Sequence, residues 1–179
     1  MAKKTSIGGW AYIWGGYSEA PIPLEDVLKR ISELGFDGFE LGAFPPHLPE
    51  NTKEERAKIK SLLKKYNLEL SGVAAPFPSP AESTEEEYLK AVKDNLEMCV
   101  DMQIPKLRVD MVSPPTEIPG GMDYETCFKK VAETWNKSAD ICAKEGVKLV
   151  WEFEPGFLFN KPSEVVRMVY KVDNPNFSI

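Results

Sequence analysis

Val147-Lys148-Leu149-Val150-Trp151-Glu152-Phe153-Glu154-Pro155-Gly156, running on into Phe157-Leu158-Phe159-Asn160, is the stretch whose reading decides the fold. Apolar residues that stop at Pro-Gly predict a buried strand. Side chains in a strand alternate between faces, so Leu149, Trp151 and Phe153 are expected on one face and Val150, Glu152 and Glu154 on the other. A carboxylate on the core side of a strand is costly unless a cation or a hydrogen-bond network compensates it. This strand carries two, with Glu154 expected at its C-terminal end, where an α/β protein places its site.

Outward from this strand, the same unit recurs. Ser6–Trp10 predicts a first strand, followed by a loop in which glycines alternate with Tyr12, Trp14 and Tyr17. Leu24, Val27, Leu28, Ile31 and Leu34 follow helical spacing up to Gly35, a usual helix stop. Phe36–Leu41 is the second strand, with the exit loop Gly42–His47, and Ile59, Leu62, Leu63 and Tyr66 mark a helix closed by Asn67. Leu68–Ala74 is the third strand, and Thr84 with Glu87 forms a capping-box pattern before the stripe Tyr88, Val92, Leu96 and Val100. Lys106–Val112 is the fourth strand, with Arg108 and Asp110 on one face, and Ser113-Pro114-Pro115 opens its exit loop. Phe128, Val131, Trp135, Ala139 and Cys142 line the next helix. After the central strand, Pro162-Ser163-Glu164 opens a helix through Val165, Val166, Met168 and Val169, and Phe177-Ser178-Ile179 begins a sixth strand.

Strands starting near 6, 36, 68, 106, 147 and 177, with a helix in every gap, are the signature of consecutive βαβ units. A closed eight-fold barrel of such units needs about 250 residues, and an open doubly wound sheet needs about five or six strands. Both remain open at this point. A nucleotide-binding sheet is disfavoured, because the first turn lacks Gly-x-Gly-x-x-Gly opening into a helix and no Gly-x-x-x-x-Gly-Lys-Ser/Thr occurs.

The composition narrows the function. The chain has 179 residues, 42% of them hydrophobic and 28% charged, with a net charge of −6, which suits one globular domain spanning 1–179. No apolar run reaches the roughly 18 residues of a membrane span, and the N-terminus lacks the apolar stretch of a signal peptide, so no membrane partner and a cytoplasmic location are expected. Cys99, Cys127 and Cys142 are odd in number and sit in helical patterns, which predicts reduced core thiols. An acidic balance with no basic run argues against a nucleic-acid partner. A small polar substrate suits it better.

The order Gly-Phe-Asp-Gly-Phe-Glu-Leu (35–41), Leu-Glu-Leu-Ser-Gly-Val (68–73), a fourth strand reaching Asp110, and Trp-Glu-Phe-Glu-Pro (151–155) resembles the xylose isomerase-like TIM barrels. These are sugar isomerases and epimerases that share their barrel with endonuclease IV. The resemblance implies an α/β fold of the (β/α)8 type, with the first five βα units and the start of strand six present here as one incomplete barrel domain. It implies metal-dependent isomerisation or epimerisation of a sugar by proton transfer through an enediolate. The family holds its metal with a Glu ending the fifth strand and with residues from the sixth, seventh and eighth. Of these, one carries over, onto Glu154, with Glu152 as the fallback and both as candidate catalytic carboxylates. The implied metal is Mn²⁺, Mg²⁺ or Co²⁺ ahead of zinc. Substrate contacts are expected from Trp10, Trp14, Glu40, Phe44, His47, Asp110 and Phe157, with Phe77 in a further exit loop.

Each of these residues also has a plainer reading. Glu152 suits a buried partner for Arg108, Glu40 an ion pair inside the barrel, and His47 an ordinary loop residue between prolines. Two other functions compete. An endonuclease IV-like nuclease would use three zinc ions and several histidines, whereas this chain has one histidine. An incomplete barrel, inactive alone, would expose strand edges and is expected to form a homo-oligomer or to pair with a complementing half-barrel as a structural module.

Overall fold

The computed structural model describes residues 4–111 and 118–179. The predicted tail of the fourth strand at Val112 and the loop opened by Ser113-Pro114-Pro115 lie outside the described residues. Five strand-helix units follow one another and lead into a sixth strand. The residues fall into two compact units, one of 1–75 and 98–106, the other of 76–97 and 107–179.

In the first unit, β1 (Ser6–Gly8), β2 (Gly38–Gly42) and β3 (Glu69–Ala74) lie side by side and parallel. The first strand is shorter than the sequence predicts, because Gly9–Tyr12 turn at once into a 3-10 helix. The register aligns Gly8 with Glu40 and Glu40 with Gly72, and a bulge after Phe39 leaves Ser71 as the extra residue of β3. Phe39 and Leu41 are wholly buried on one face of β2, which leaves Glu40 on the other. The buried face is covered by α1 (Leu24–Glu33) through Val27, Leu28 and Ile31, and by α2 (Lys53–Tyr66) through Ile59 and Leu63. Leu34, expected in that stripe, is the exposed C-cap of α1. Thr52 and Glu55 close a capping box at the start of α2, and Asn67 ends it in the left-handed conformation. The buried Arg56 is paired with Asp101 at 2.8 Å.

The second unit contains β4 (Lys106–Val109) from Leu107 on, β5 (Lys148–Trp151) and β6 (Phe177–Ser178) in that order, β5 and β6 being parallel. Three helices accompany them. The first, α3 (Glu85–Met102), starts in this unit with the predicted capping box, Thr84 and Glu87 exchanging backbone-to-side-chain bonds of 2.8 and 3.2 Å. The second, α4 (Tyr124–Lys144), is capped by Asp123, and the third, α5 (Pro162–Val172), opens with proline. Leu149 and Trp151 of β5 are buried against α4, where Trp135 stands 5.1 Å from Trp151 and 5.7 Å from Phe177 between ring centroids. All three cysteines are buried free thiols, and burial pushes that of Cys142 up to about 12. Among the described residues no helix is long and apolar enough to cross a membrane.

Candidate functional site

In the second unit the chemistry gathers beyond the end of β5. The strand stops at Trp151, three residues earlier than predicted, although the Glu152 N–H still donates to the Val109 carbonyl at 3.0 Å. Glu154 therefore stands on an extended tail past the strand. That tail is held by its own backbone. Pro155 has no N–H to continue a ladder, and Gly156 takes φ +93°, a value that favours glycine. The Glu154 carbonyl then accepts the Phe157 N–H at 3.2 Å and the Asn160 side-chain amide at 3.0 Å. Phe153 follows its alternation as far as placing its ring 5.8 Å from Trp151, but it is well exposed because the core ends there.

The two carboxylates meet different surroundings. Glu152 is paired with Arg108 Nη1 at 2.6 Å, the two side chains being 32% and 11% exposed. A guanidinium so little hydrated would be costly without that partner. Glu154 is half-buried, and among the described residues its carboxylate takes no hydrogen bond and no ion pair. Asp110 is half-buried one residue past β4. Phe157 lines a cavity of about 310 Å³ with Tyr124, Phe159, Lys161 and Glu164. There the Tyr124 hydroxyl donates to Glu164 at 2.9 Å, and burial followed by that carboxylate raises the phenol to about 12. Phe77 stacks on the buried Tyr88 at 5.5 Å and belongs to the core.

The first unit holds the other candidates. Trp14 and Phe44 come together with ring centroids 4.6 Å apart, Trp14 remaining 41% exposed. Trp10 sits in the 3-10 turn after β1, half-buried like Glu40. His47 is held by the loops around it. It is 5% exposed, and its Nε2–H donates to the Ile22 carbonyl at 2.8 Å, tying the loop after β2 to the loop before α1. Its Nδ1 is buried without a hydrogen-bond partner, so a proton there would find no acceptor.

Burial accordingly holds the His47 imidazole below its ordinary range, partly offset by the bond to Ile22. A depressed folded-state value means the neutral ring contributes stability that is present above the usual histidine value of 6.5 and is lost as the pH falls below it. The carboxylates held low by partners, Glu25, Glu87, Asp101, Asp123 and Glu125, act in a more acid window, below their ordinary 3.8 to 4.5. Urea midpoints measured from about pH 7.5 down to about pH 5 are expected to fall in the wild type. His47→Gln, whose amide donates to Ile22 without titrating, is expected to flatten that fall. Equal slopes for the two proteins would remove His47 from the acid response.

Among the described residues no three His, Cys, Asp or Glu side chains converge into a group able to hold a metal. Beyond the end of β5 the carboxylate open to a cation is Glu154, next to a carboxylate already paired with Arg108. A hard divalent ion fits that donor; a soft thiolate-seeking ion does not, since the three thiols are in the core.

Residues 28–179 match the family described as "Xylose isomerase-like TIM barrel". The chain belongs to that family. No curated protein sequence matches it. Among solved structures it is similar to D-psicose 3-epimerase from Clostridium cellulolyticum H10, crystallised with D-tagatose, at TM-score 0.74 and 18% identity, covering 98% of this chain and 62% of that one. It is similar also to an AP endonuclease of family 2 from Brucella melitensis, at TM-score 0.73 and 20% identity over 98% and 67% of the two chains. A probable 3-DHS dehydratase from Bacillus anthracis gives 0.72 and 15% over 98% and 61%. The fold is thus α/β, part of a TIM barrel, and the chain spans about three fifths of the length of most of these relatives.

Some of the site was not anticipated from the sequence. Tyr124 and Glu164 are 40 residues apart in sequence. Nothing in their local patterns links them.

Proposed function

We propose that this chain is part of a divalent-metal-dependent enzyme that isomerises or epimerises a sugar or sugar-like substrate by moving a proton between carbons or between faces of one carbon. The observation that carries this reading is the contrast between the two glutamates after β5. Glu152 is committed to Arg108, and Glu154 has its carbonyl anchored and its carboxylate without a partner among the described residues. Glu154 is the residue that would hold Mn²⁺, Mg²⁺ or Co²⁺, and a bound ion would supply polarisation of vicinal substrate oxygens. Arg108 pairs with Glu152 and holds it in place, so that the strand end presents one uncompensated charge to a cation rather than two. Family membership and the likeness to an epimerase support the reading. A single histidine and a net charge of −6 weigh against the nuclease alternative, whose zinc ions and phosphate backbone call for the opposite.

Proton transfer at carbon has a direct test. Incubated with a ketose and Mn²⁺ in D₂O, an assembly that completes the site is expected to place deuterium from solvent on the carbon next to the carbonyl, read by NMR. Absence of exchange with Mn²⁺, Mg²⁺ and Co²⁺ across a panel of ketoses would overturn the assignment. Nicking of DNA containing an abasic site would replace it with the nuclease reading.

A further inference from the structure

Phe159 is held in a conformation that its own side chain disfavours. It takes φ +63°, in the left-handed region where a bulky residue is an outlier, and it is 2% exposed. Such a backbone persists only where its surroundings enforce it, and residues of this kind cluster where position matters for function. The surroundings here are aromatic. The Phe159 ring meets Tyr124 edge-on at 5.4 Å and Phe128 at 4.9 Å between centroids, both from α4, and the Arg167 guanidinium lies 4.5 Å from the Phe128 ring. Glu164 ties this socket to the start of α5. One of its oxygens accepts the Tyr124 hydroxyl at 2.9 Å and the other accepts the Lys161 N–H at 3.0 Å, just past Phe159 in the chain.

The residue after Phe159 connects the socket to Glu154. Asn160 donates its side-chain amide to the Glu154 carbonyl at 3.0 Å, and the same carbonyl accepts the Phe157 N–H at 3.2 Å. Residues 154–160 thus form a closed loop, attached to β5 at one end and to the aromatic socket at the other. Pro155 and Gly156 are exposed, and a Cβ on Gly156 would meet nothing within 4 Å, so the middle of the loop has no packing to hold it. Its shape is set from its ends.

We infer that Phe159 is a positioning residue for Glu154: its ring, seated between Tyr124 and Phe128 with the backbone left-handed, sets Asn160 where it fixes the Glu154 carbonyl and with it the direction of the carboxylate; this rests on the assignment of Glu154 as a metal ligand above. Phe159 and Asn160 act through Glu154 and touch neither ion nor substrate.

Two variants separate the ring from the amide. Phe159→Gly accepts the left-handed backbone without strain and removes the ring. Asn160→Ala keeps the ring and removes the donor. In the 179-residue protein, ¹⁵N relaxation is expected to show the Phe157 N–H falling from an order parameter of about 0.85 to below about 0.6 in both, with the α5 amides from Val165 to Val169 unchanged. In an assembly that completes the site, Mn²⁺ affinity by calorimetry is expected to fall roughly 10- to 100-fold in both, the range for removing a group that orients a metal ligand. Phe159→Leu, which keeps apolar volume in the socket, is expected to restore part of that loss. A merely structural role would lower the urea midpoint and leave the Mn²⁺ affinity of the folded protein unmoved. Wild-type affinity in either Phe159→Gly or Asn160→Ala, or an unchanged Phe157 order parameter, overturns the proposal while Glu154 remains the ligand. If the wild-type assembly binds no divalent ion, the ligand assignment itself fails, and the positioning role fails with it.

Discussion

In an assembly that completes the site, Glu154→Gln is expected to abolish binding of divalent metal. The substitution keeps the length and shape of the side chain and leaves the strand end intact, because the bonds that fix it run through the Glu154 carbonyl, to the Phe157 N–H and the Asn160 amide. What it removes is the charge and one hard oxygen donor. Loss of a group that merely supports a ligand already costs about 10- to 100-fold in metal affinity, so loss of the ligand itself is expected to exceed 100-fold. Glu152→Gln provides the control. It leaves the Arg108 guanidinium, 11% exposed, without its carboxylate, and its main effect is expected on stability. Calorimetric titration with Mn²⁺ distinguishes the two. Unchanged affinity in Glu154→Gln, or a larger loss in Glu152→Gln, would transfer the ligand role away from Glu154.

The difference between the glutamates was only half legible in the sequence. Period-two alternation placed Glu152 and Glu154 on one face, and Arg108 on a neighbouring strand was the evident partner for Glu152. The alternation could not say where pairing ends. β5 stops at Trp151 because the segment beyond it makes the single bond from Glu152 to Val109 and then turns at Pro155-Gly156. The βα order was legible for a simpler reason. Each unit repeats an apolar strand, a glycine or proline break and a helical stripe, and local patterns of that kind survive in a single sequence. The burial of His47 was not legible, because a histidine between prolines looks exposed and its burial depends on Ile22, 25 residues away. The neighbours of Glu40 were hidden likewise. That Gly8 and Gly72 flank Glu40 follows from strand register, including the bulge after Phe39, and a one-residue slip would have placed Ile7 or Ser71 there instead.

Trp135→Ala is expected to cost roughly 3–5 kcal/mol of stability, the range for truncating a buried large aromatic residue. Trp135 is wholly buried in the second unit, touching Trp151 of β5 and Phe177 of β6, and its indole N–H donates to the Tyr88 hydroxyl at 3.0 Å. Tyr88 is itself wholly buried, and burial raises its phenol so far that it stays neutral. Two losses therefore combine: the packing of one ring against two others, and the pairing of a buried hydroxyl. Trp135→Phe separates them, since it retains most of the packing and forfeits the hydrogen bond, and it is expected to cost about 1–3 kcal/mol. The consequence for function follows from position. Trp151 ends β5 three residues before Glu154, so a cavity behind Trp151 loosens the support of the tail that carries the carboxylate. Urea unfolding of the two variants, with Mn²⁺ titration of the folded protein, checks both links. A Trp135→Ala protein as stable as the wild type would show that this aromatic cluster does not hold β5, and the account of how Glu154 is positioned would have to rest on the Pro155-Gly156 turn alone.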